Sequence, residues 1–395
     1  MVCWMRLAER MGRLKPSGTM AMAEMARSLA KSGRKVLHLE VGEPDFATPD
    51  HINEAAYKAI REGFTHYTSS RGITELREAI AEDLERRQGI EVDPESEVIV
   101  TPGTKHAIYC ACLATLNPKD EVLVLSPTWP THLTCIEAAE AVAVEVPCGE
   151  TYSLNEERLK ESITPRTRMI LYSSPNNPTG GVLSLGEVKV LTELAEDHDL
   201  LILSDEIYDC ITYDGVEVKS AASFPGLRDR VILVNGFSKR YAMTGWRLGY
   251  AVANEEIVEA ISRVQQTTTT CPASFIQKAG VAALRGPQGC VEEMVKEYDR
   301  RRGFLVEKLN EMPGLRCQRP KGAFYVFPKY SVEMPSMELC KRLLNEEGVC
   351  TTPGSVFGRY GEGYIRLSYA TSLEVISEAV EKIRSFFTRL VENSG

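Results

Sequence analysis

Four side chains with chemical capacity recur just after apolar runs in this sequence: Trp129 in EVLVLSPTW, Asn177 in RMILYSSPNNPTG, Asp205 in LLILSDEIYD and Lys239 in VILVNGFSK. A lysine resists desolvation unless it is paired or used covalently. A second cation, Arg247, follows in the same stretch, VNGFSKRYAMTGWRLGY. Ligands of open α/β sheets sit outside the carboxyl ends of the strands, so residues placed there share one crevice. Taken singly, each has a structural explanation: a core aromatic, a turn residue, a helix N-cap and a surface lysine. Taken together they assemble an aromatic plate, a carboxylate, a lysine and an anion-binding cation.

The elements that must position them are legible as a pattern. EVIVTPG, EVLVLSPTW, RMILYSSPNNPTG, LLILSDEIYD and VILVNGFSK are apolar runs without alternation, each ending in small, polar or turn-forming residues. Amphipathic stretches such as LGEVKVLTELAEDHD separate them. Non-alternating strands divided by helices predict an α/β fold with a mostly parallel sheet flanked by helices on both faces. Near residue 290 the composition shifts mildly. KEYDRRRGFLVEKLNEM predicts a long charged helix, and GAFYVFPKY, VCTTPGSVFG and EGYIRLSYATS continue as a second, smaller α/β pattern. The triple arginine in that helix reads as a solvated face.

Composition narrows the function classes. With 395 residues and 43% hydrophobic content the chain can build one large and one smaller domain. A net charge of −9 excludes a partner held by general phosphate attraction, so no nucleic acid is expected. Eleven scattered cysteines without a CxxC pair read as reduced, mostly buried thiols, with no metal site. The opening MVCWMRLAERMGRL reads as an amphipathic helix rather than a secretory leader, and no apolar run spans a bilayer. These features predict a cytoplasmic protein.

Pyridoxal phosphate is the chemistry that needs this combination. Its aldehyde takes a lysine as a Schiff base, its pyridine nitrogen a carboxylate, its ring a stacking partner, and its phosphate backbone N–H groups with a cation. TPGTKHAI, residues 101–108, supplies a glycine turn opening a helix whose N-terminal amides can hold a phosphate. Arg247 adds a guanidinium fork suited to phosphate oxygens.

SPNNPTG (174–180), SDEIY (204–208), FSKRYAMTGWRLGY (237–250) and YIRLSYA (364–370), in this order and at these separations, resemble the fold-type I, class I/II pyridoxal-phosphate aminotransferases, in their bacterial and archaeal aspartate-aminotransferase-like branch. The resemblance runs along essentially the whole chain, from KPSGTMAM and GEPDFATP onward. It implies that residues 1–45 join 291–395 in a small domain, with 46–290 forming the large cofactor-binding domain. It further implies Lys239 as the Schiff-base lysine and proton-moving base, and Asp205 as the partner of the pyridine nitrogen. Tyr208 and Asn177 then hydrogen-bond the ring's phenolic oxygen, and Trp129 stacks on the ring. Gly103, Thr104, Ser238 and Arg247 hold the phosphate; Lys105 fits either that set or a solvated helix face. Tyr67 in HYTSSRG resembles a tyrosine that reaches the neighbouring subunit's phosphate, implying a homodimer with shared sites. Arg366 resembles the arginine that grips the substrate α-carboxylate, with the Gly42 backbone, Trp129 and Asn177 nearby. In one departure Gly236 stands three positions before the lysine, where many relatives carry serine or threonine.

The implied activity is ping-pong transamination through an internal aldimine, from an L-amino acid to a 2-oxo acid such as 2-oxoglutarate or pyruvate. A β-C–S lyase or an aminocyclopropane-carboxylate-synthase-like enzyme would share the same cofactor residues. A ligand-sensing regulator built on this fold would need a basic domain, yet only about forty residues precede GEPDF and the charge is acidic. A cofactor-free Schiff-base aldolase leaves Asp205, Trp129 and Arg247 without a task. Aspartate, alanine, aromatic and broad amino-donor specificity all remain open.

Overall fold

A computed structural model describes residues 8–12 and 18–392. The amphipathic helix expected at 1–14 lies outside the described residues apart from 8–12, where Glu9–Gly12 form a short 3-10 turn. The core of the molecule is a seven-stranded sheet made of β1 (Val98–Thr101), β2 (Glu121–Ser126), β3 (Val142–Pro147), β4 (Thr167–Ser173), β5 (Leu201–Asp205), β6 (Val231–Gly236) and β7 (Gly249–Val252). Their spatial order is β1-β7-β6-β5-β4-β2-β3. All neighbours are parallel except β7, which runs antiparallel to both β6 and β1.

Strand side chains alternate between two faces. Val122, Val124, Met169, Leu171 and Leu203 pack on one side with the helix Thr104–Thr115. Leu123, Leu125, Ile170, Tyr172 and Ile202 pack on the other with Leu185–Asp197. The latter helix is started by a capping box in which Ser184 Oγ accepts from Glu187 N and the Glu187 carboxylate accepts from Ser184 N. Two strands escaped the sequence pattern. β3 is a sheet edge whose outer residues are half-exposed, with Glu145 among them, so it lacks a continuous apolar run. β7 is only four residues long and follows the site loop without an intervening helix.

A second core draws on both ends of the chain: Met22 and Ala26 of the helix Gly18–Lys31, Leu37 and Leu39, and many residues beyond 294. Its central strand, Ile365–Ser368, pairs antiparallel with Tyr325–Val326 and with Thr352–Pro353. The long helix Gly289–Asn310 corrects the reading of the arginine triplet as a solvated face. Arg300 is exposed beside Glu297, but Arg301 is buried against Asp45 (2.9 Å) and Glu297 (2.8 Å). Arg302 is wholly buried, paired with Asp214 and Asp299 and stacked 4.2 Å over the Tyr213 ring. Carboxylates supplied by distant loops make those charges tolerable in the interior. The ten described cysteines are free thiols, six of them buried. Among the described residues no helix is long and apolar enough to cross a membrane, and no cluster of three metal-ligating side chains occurs.

Candidate active site

Lys239 lies on a single helical turn, Phe237–Arg240, that β6 enters directly. Its Nζ donates to the Gly42 carbonyl and lies 6.0 Å from the Tyr208 ring centroid and 5.8 Å from that of Phe324. Burial pushes the lysine pKa down to about 8, and the Arg366 and Arg247 guanidiniums push the same way, against Glu43 and Asp205. The chain thus keeps a lysine amine that is readily neutral, the form a carbonyl requires.

Asp205 closes β5, and its carboxylate is held on both oxygens. Oδ1 accepts from Ile207 N at 3.2 Å and Oδ2 is 3.0 Å from His132 Nε2. His132 is fully buried on the helix Pro130–Ala138, with Nδ1 2.7 Å from Thr128 Oγ1. The network assigns the histidine hydrogen to Nε2, donated to Asp205, with Thr128 donating to Nδ1. Trp129 is the N-cap of that helix, with Pro130 at its first position, and meets the His132 ring edge-on at 5.5 Å. Sequence reasoning missed His132; its place one turn after Trp129 in PTHLTC was the available signal.

Asn177 follows β4 in a loop organised by Asn176, whose Oδ1 accepts from Thr179 N (3.1 Å) and Thr179 Oγ1 (2.8 Å). Thus fixed, Asn177 Oδ1 accepts from Arg366 Nη1 at 3.1 Å. Arg366 Nη2 donates to the Glu40 carbonyl and, at 3.2 Å, to Thr352 Oγ1. The guanidinium is sandwiched between Tyr325 (4.5 Å) and Phe357 (5.1 Å). Among the described residues no carboxylate pairs with it, which removes the structural explanation of an ion-paired strand arginine. Its Nε is buried without a partner, and burial lowers its pKa. A desolvated cation with an unused donor calls for an anionic ligand.

Tyr208 follows Asp205 by less than a helical turn and is buried, its Oη 2.7 Å from Tyr325 Oη. Gly103 caps the helix Thr104–Thr115 with φ +83° and no side-chain cap, leaving the first amides available to a ligand. A Cβ on Gly103 would meet Arg247 Nη2 at 2.5 Å, so the guanidinium lies directly over this helix start. Arg247 adopts φ +55°, an uncommon backbone for a non-glycine residue, and its Nη1 donates to Thr244 O at 3.1 Å. Ser238 is buried at the same strand end. Lys105 is exposed, with Nζ 5.2 Å from the Trp129 ring centroid. Gly236 packs where a Cβ would lie 2.8 Å from Gly249 Cα and 3.2 Å from Thr104 Cγ2. The missing hydroxyl therefore leaves no hole. Tyr67 is 86% exposed.

Two features test the fit of pyridoxal phosphate to this cleft: the uncapped helix start beneath Arg247 suits a phosphate, and the buried Asp205 carboxylate suits a ring nitrogen. Residues 34–383 match the family model for aminotransferase class I and II. The chain belongs to that family. This aminotransferase is 41% identical over 384 residues to the aromatic-amino-acid aminotransferase 2 of Thermococcus litoralis, covering 96% of this chain and 97% of the relative. It is 41% identical over 392 residues to the aspartate aminotransferase of Geobacillus stearothermophilus, covering 97% and 99%. The solved aspartate aminotransferase from Thermus thermophilus with maleate superposes with a TM-score of 0.92 at 40% identity, covering 96% of this chain and all of that one. The aminotransferase is a pyridoxal-phosphate-dependent transaminase acting on small amino and 2-oxo acids.

Proposed function

We propose that this aminotransferase moves the amino group of an L-amino acid to 2-oxoglutarate or pyruvate with the cleft residues in defined roles. Bound pyridoxal phosphate would supply an aldehyde for Lys239 and a ring that accepts electrons from the substrate α-carbon. Lys239 would hold the cofactor covalently, and its Nζ would carry the proton of the substrate α-carbon. Its depressed pKa suits that task near neutral pH. Asp205, oriented by His132, serves the ring nitrogen; Tyr208 and Asn177 serve the phenolic oxygen; Trp129 supplies the stacking face. Gly103, Thr104, Lys105, Ser238 and Arg247 hold the phosphate, with Tyr67 reaching it from the neighbouring copy of a homodimer. Arg366, with Asn177 and the Gly42 backbone, binds the α-carboxylate common to every substrate.

The observation that carries this reading is the unpaired Arg366 guanidinium, anchored to Asn177 in the cleft that holds Lys239. Borohydride reduction of the holoenzyme followed by peptide mass spectrometry should place the cofactor on Lys239; attachment to another lysine refutes the assignment. Relatives named for aspartate and for aromatic amino acids are equally similar, so both donors head a screen against 2-oxoglutarate and pyruvate. Light scattering should return twice the 43.9 kDa of one chain. The free cysteines support a reducing cytoplasmic location. The core that joins Met22, Ala26, Leu37 and Leu39 with residues from Met294 onward supports a small domain of 1–45 with 291–395 beside a large one at 46–290, although Ile207, Tyr208, Ile211 and Tyr213 pack into it too.

A further inference from the structure

Tyr325 occupies a position that the roles above leave unexplained. It is buried on the strand Tyr325–Val326, paired with the strand that carries Arg366. Three parts of the site meet on this one side chain. Its ring is the shelf under the Arg366 guanidinium at 4.5 Å. Its Oη lies 2.7 Å from Tyr208 Oη, the two rings meeting edge-on at 80°. A Cβ on Gly42, whose carbonyl holds Lys239, would meet that same Oη at 2.6 Å.

Each phenol has a single hydrogen. If Tyr208 spends its hydrogen on a ligand oxygen, the bond to Tyr325 survives only with Tyr325 as donor. We infer that Tyr325 is a positioning residue that donates its hydroxyl hydrogen to Tyr208 Oη, turning and polarising Tyr208 to donate to the phenolic oxygen of the cofactor. The inference rests on the placement of Tyr208 proposed above.

Its sign can be worked out. In the holoenzyme the phenolic oxygen shares a proton with the neighbouring nitrogen that joins the cofactor to Lys239. A hydrogen bond donated to that oxygen withdraws electron density and lowers the basicity of the pair. A donor chain polarises its links cooperatively, so Tyr325 strengthens the Tyr208 bond and holds this pKa lower still. Removing the Tyr325 hydroxyl therefore raises it.

The experiment is a pH titration of the visible absorbance of the holoenzyme in wild type, Tyr325→Phe, Tyr208→Phe and the double variant. Tyr325→Phe keeps the ring under Arg366, and the titration should move up by roughly 0.2–0.4 pH units, about a fifth of the strength of a hydrogen bond to a charged acceptor. Tyr208→Phe should move it further, and the double variant should match Tyr208→Phe alone, because Tyr325 acts only through Tyr208. An unmoved midpoint in Tyr325→Phe beside a raised one in Tyr208→Phe overturns the Tyr325 inference and spares the Tyr208 assignment. Additive shifts in the double variant also overturn it, since Tyr325 would then act by another route. No shift in Tyr208→Phe overturns the placement of Tyr208 and the inference with it.

Discussion

Replacing Arg366 by lysine separates the binding of a common group from the reading of a side chain. The native guanidinium uses Nη1 on Asn177, Nη2 on Thr352 and the Glu40 carbonyl, and keeps Nε unpartnered between two aromatic faces. A lysine ammonium is a point charge that cannot hold those anchors and also present a planar fork to a carboxylate. Losing one charge-assisted hydrogen bond costs about 1.5–3 kcal/mol. Losing the desolvated stacking between Tyr325 and Phe357 costs about 2 kcal/mol more. Together these predict a loss in kcat/KM of about 3.5–5 kcal/mol, or roughly two and a half to three and a half orders of magnitude. The assay is the first half-reaction, followed by the cofactor spectrum after adding aspartate, alanine or an aromatic amino acid. The loss should be the same for all three, with cofactor content kept. A loss confined to the acidic donor would mean that Arg366 reads a distal carboxylate, and the substrate would lie the other way round.

His132→Ala should leave Asp205 with one anchor and cost about 1.5–3 kcal/mol in the rate of the half-reaction, while borohydride still fixes the cofactor on Lys239; an unchanged rate would reduce His132 to a packing residue. Asp205→Asn should form the covalent link yet lose several kcal/mol of transition-state stabilisation, on the order of other single groups in buried sites; near-normal turnover would leave Asp205 a helix-start residue. In the cofactor-free protein Lys239 is protonated below about pH 8 and neutral above it, so the rate of cofactor capture should rise with a midpoint near 8. A midpoint above 10 would show an ordinary exposed lysine. The sign for stability follows: the unfolded chain binds the extra proton between pH 8 and the ordinary lysine value of 10.5, so Lys239 makes the cofactor-free fold gain stability as pH rises through that window. Gly236→Ser should lower the melting temperature of the cofactor-free protein, because its Cβ would lie 2.8 Å from Gly249 Cα and 3.0 Å from the Leu248 carbonyl. A melting temperature equal to or above wild type would show that β6 and β7 part at no cost.

The sequence by itself determined the parallel strands and the residues at their carboxyl ends. Buried parallel strands are continuous apolar runs, and each run of this kind stops where the chain turns out into the cleft. Asp205, Asn177, Trp129 and Lys239 were readable for that reason. The edge strand Val142–Pro147 was not, because one side of it meets solvent and its pattern weakens to that of a loop. Only the tertiary structure decided what those residues touch. His132 reaches Asp205 across 73 positions and Tyr325 reaches Tyr208 across 117, and no local pattern records a contact between elements so far apart in the chain. The arginine triplet shows the same limit. Three successive charges in an acid-rich helix look like a solvated face, yet Arg301 and Arg302 are buried because Asp45 and Asp214, contributed by distant loops, supply the compensating charge. Local spacing specifies which element forms and which residue ends it, whereas burial of a charge depends on a partner that the chain delivers from far away.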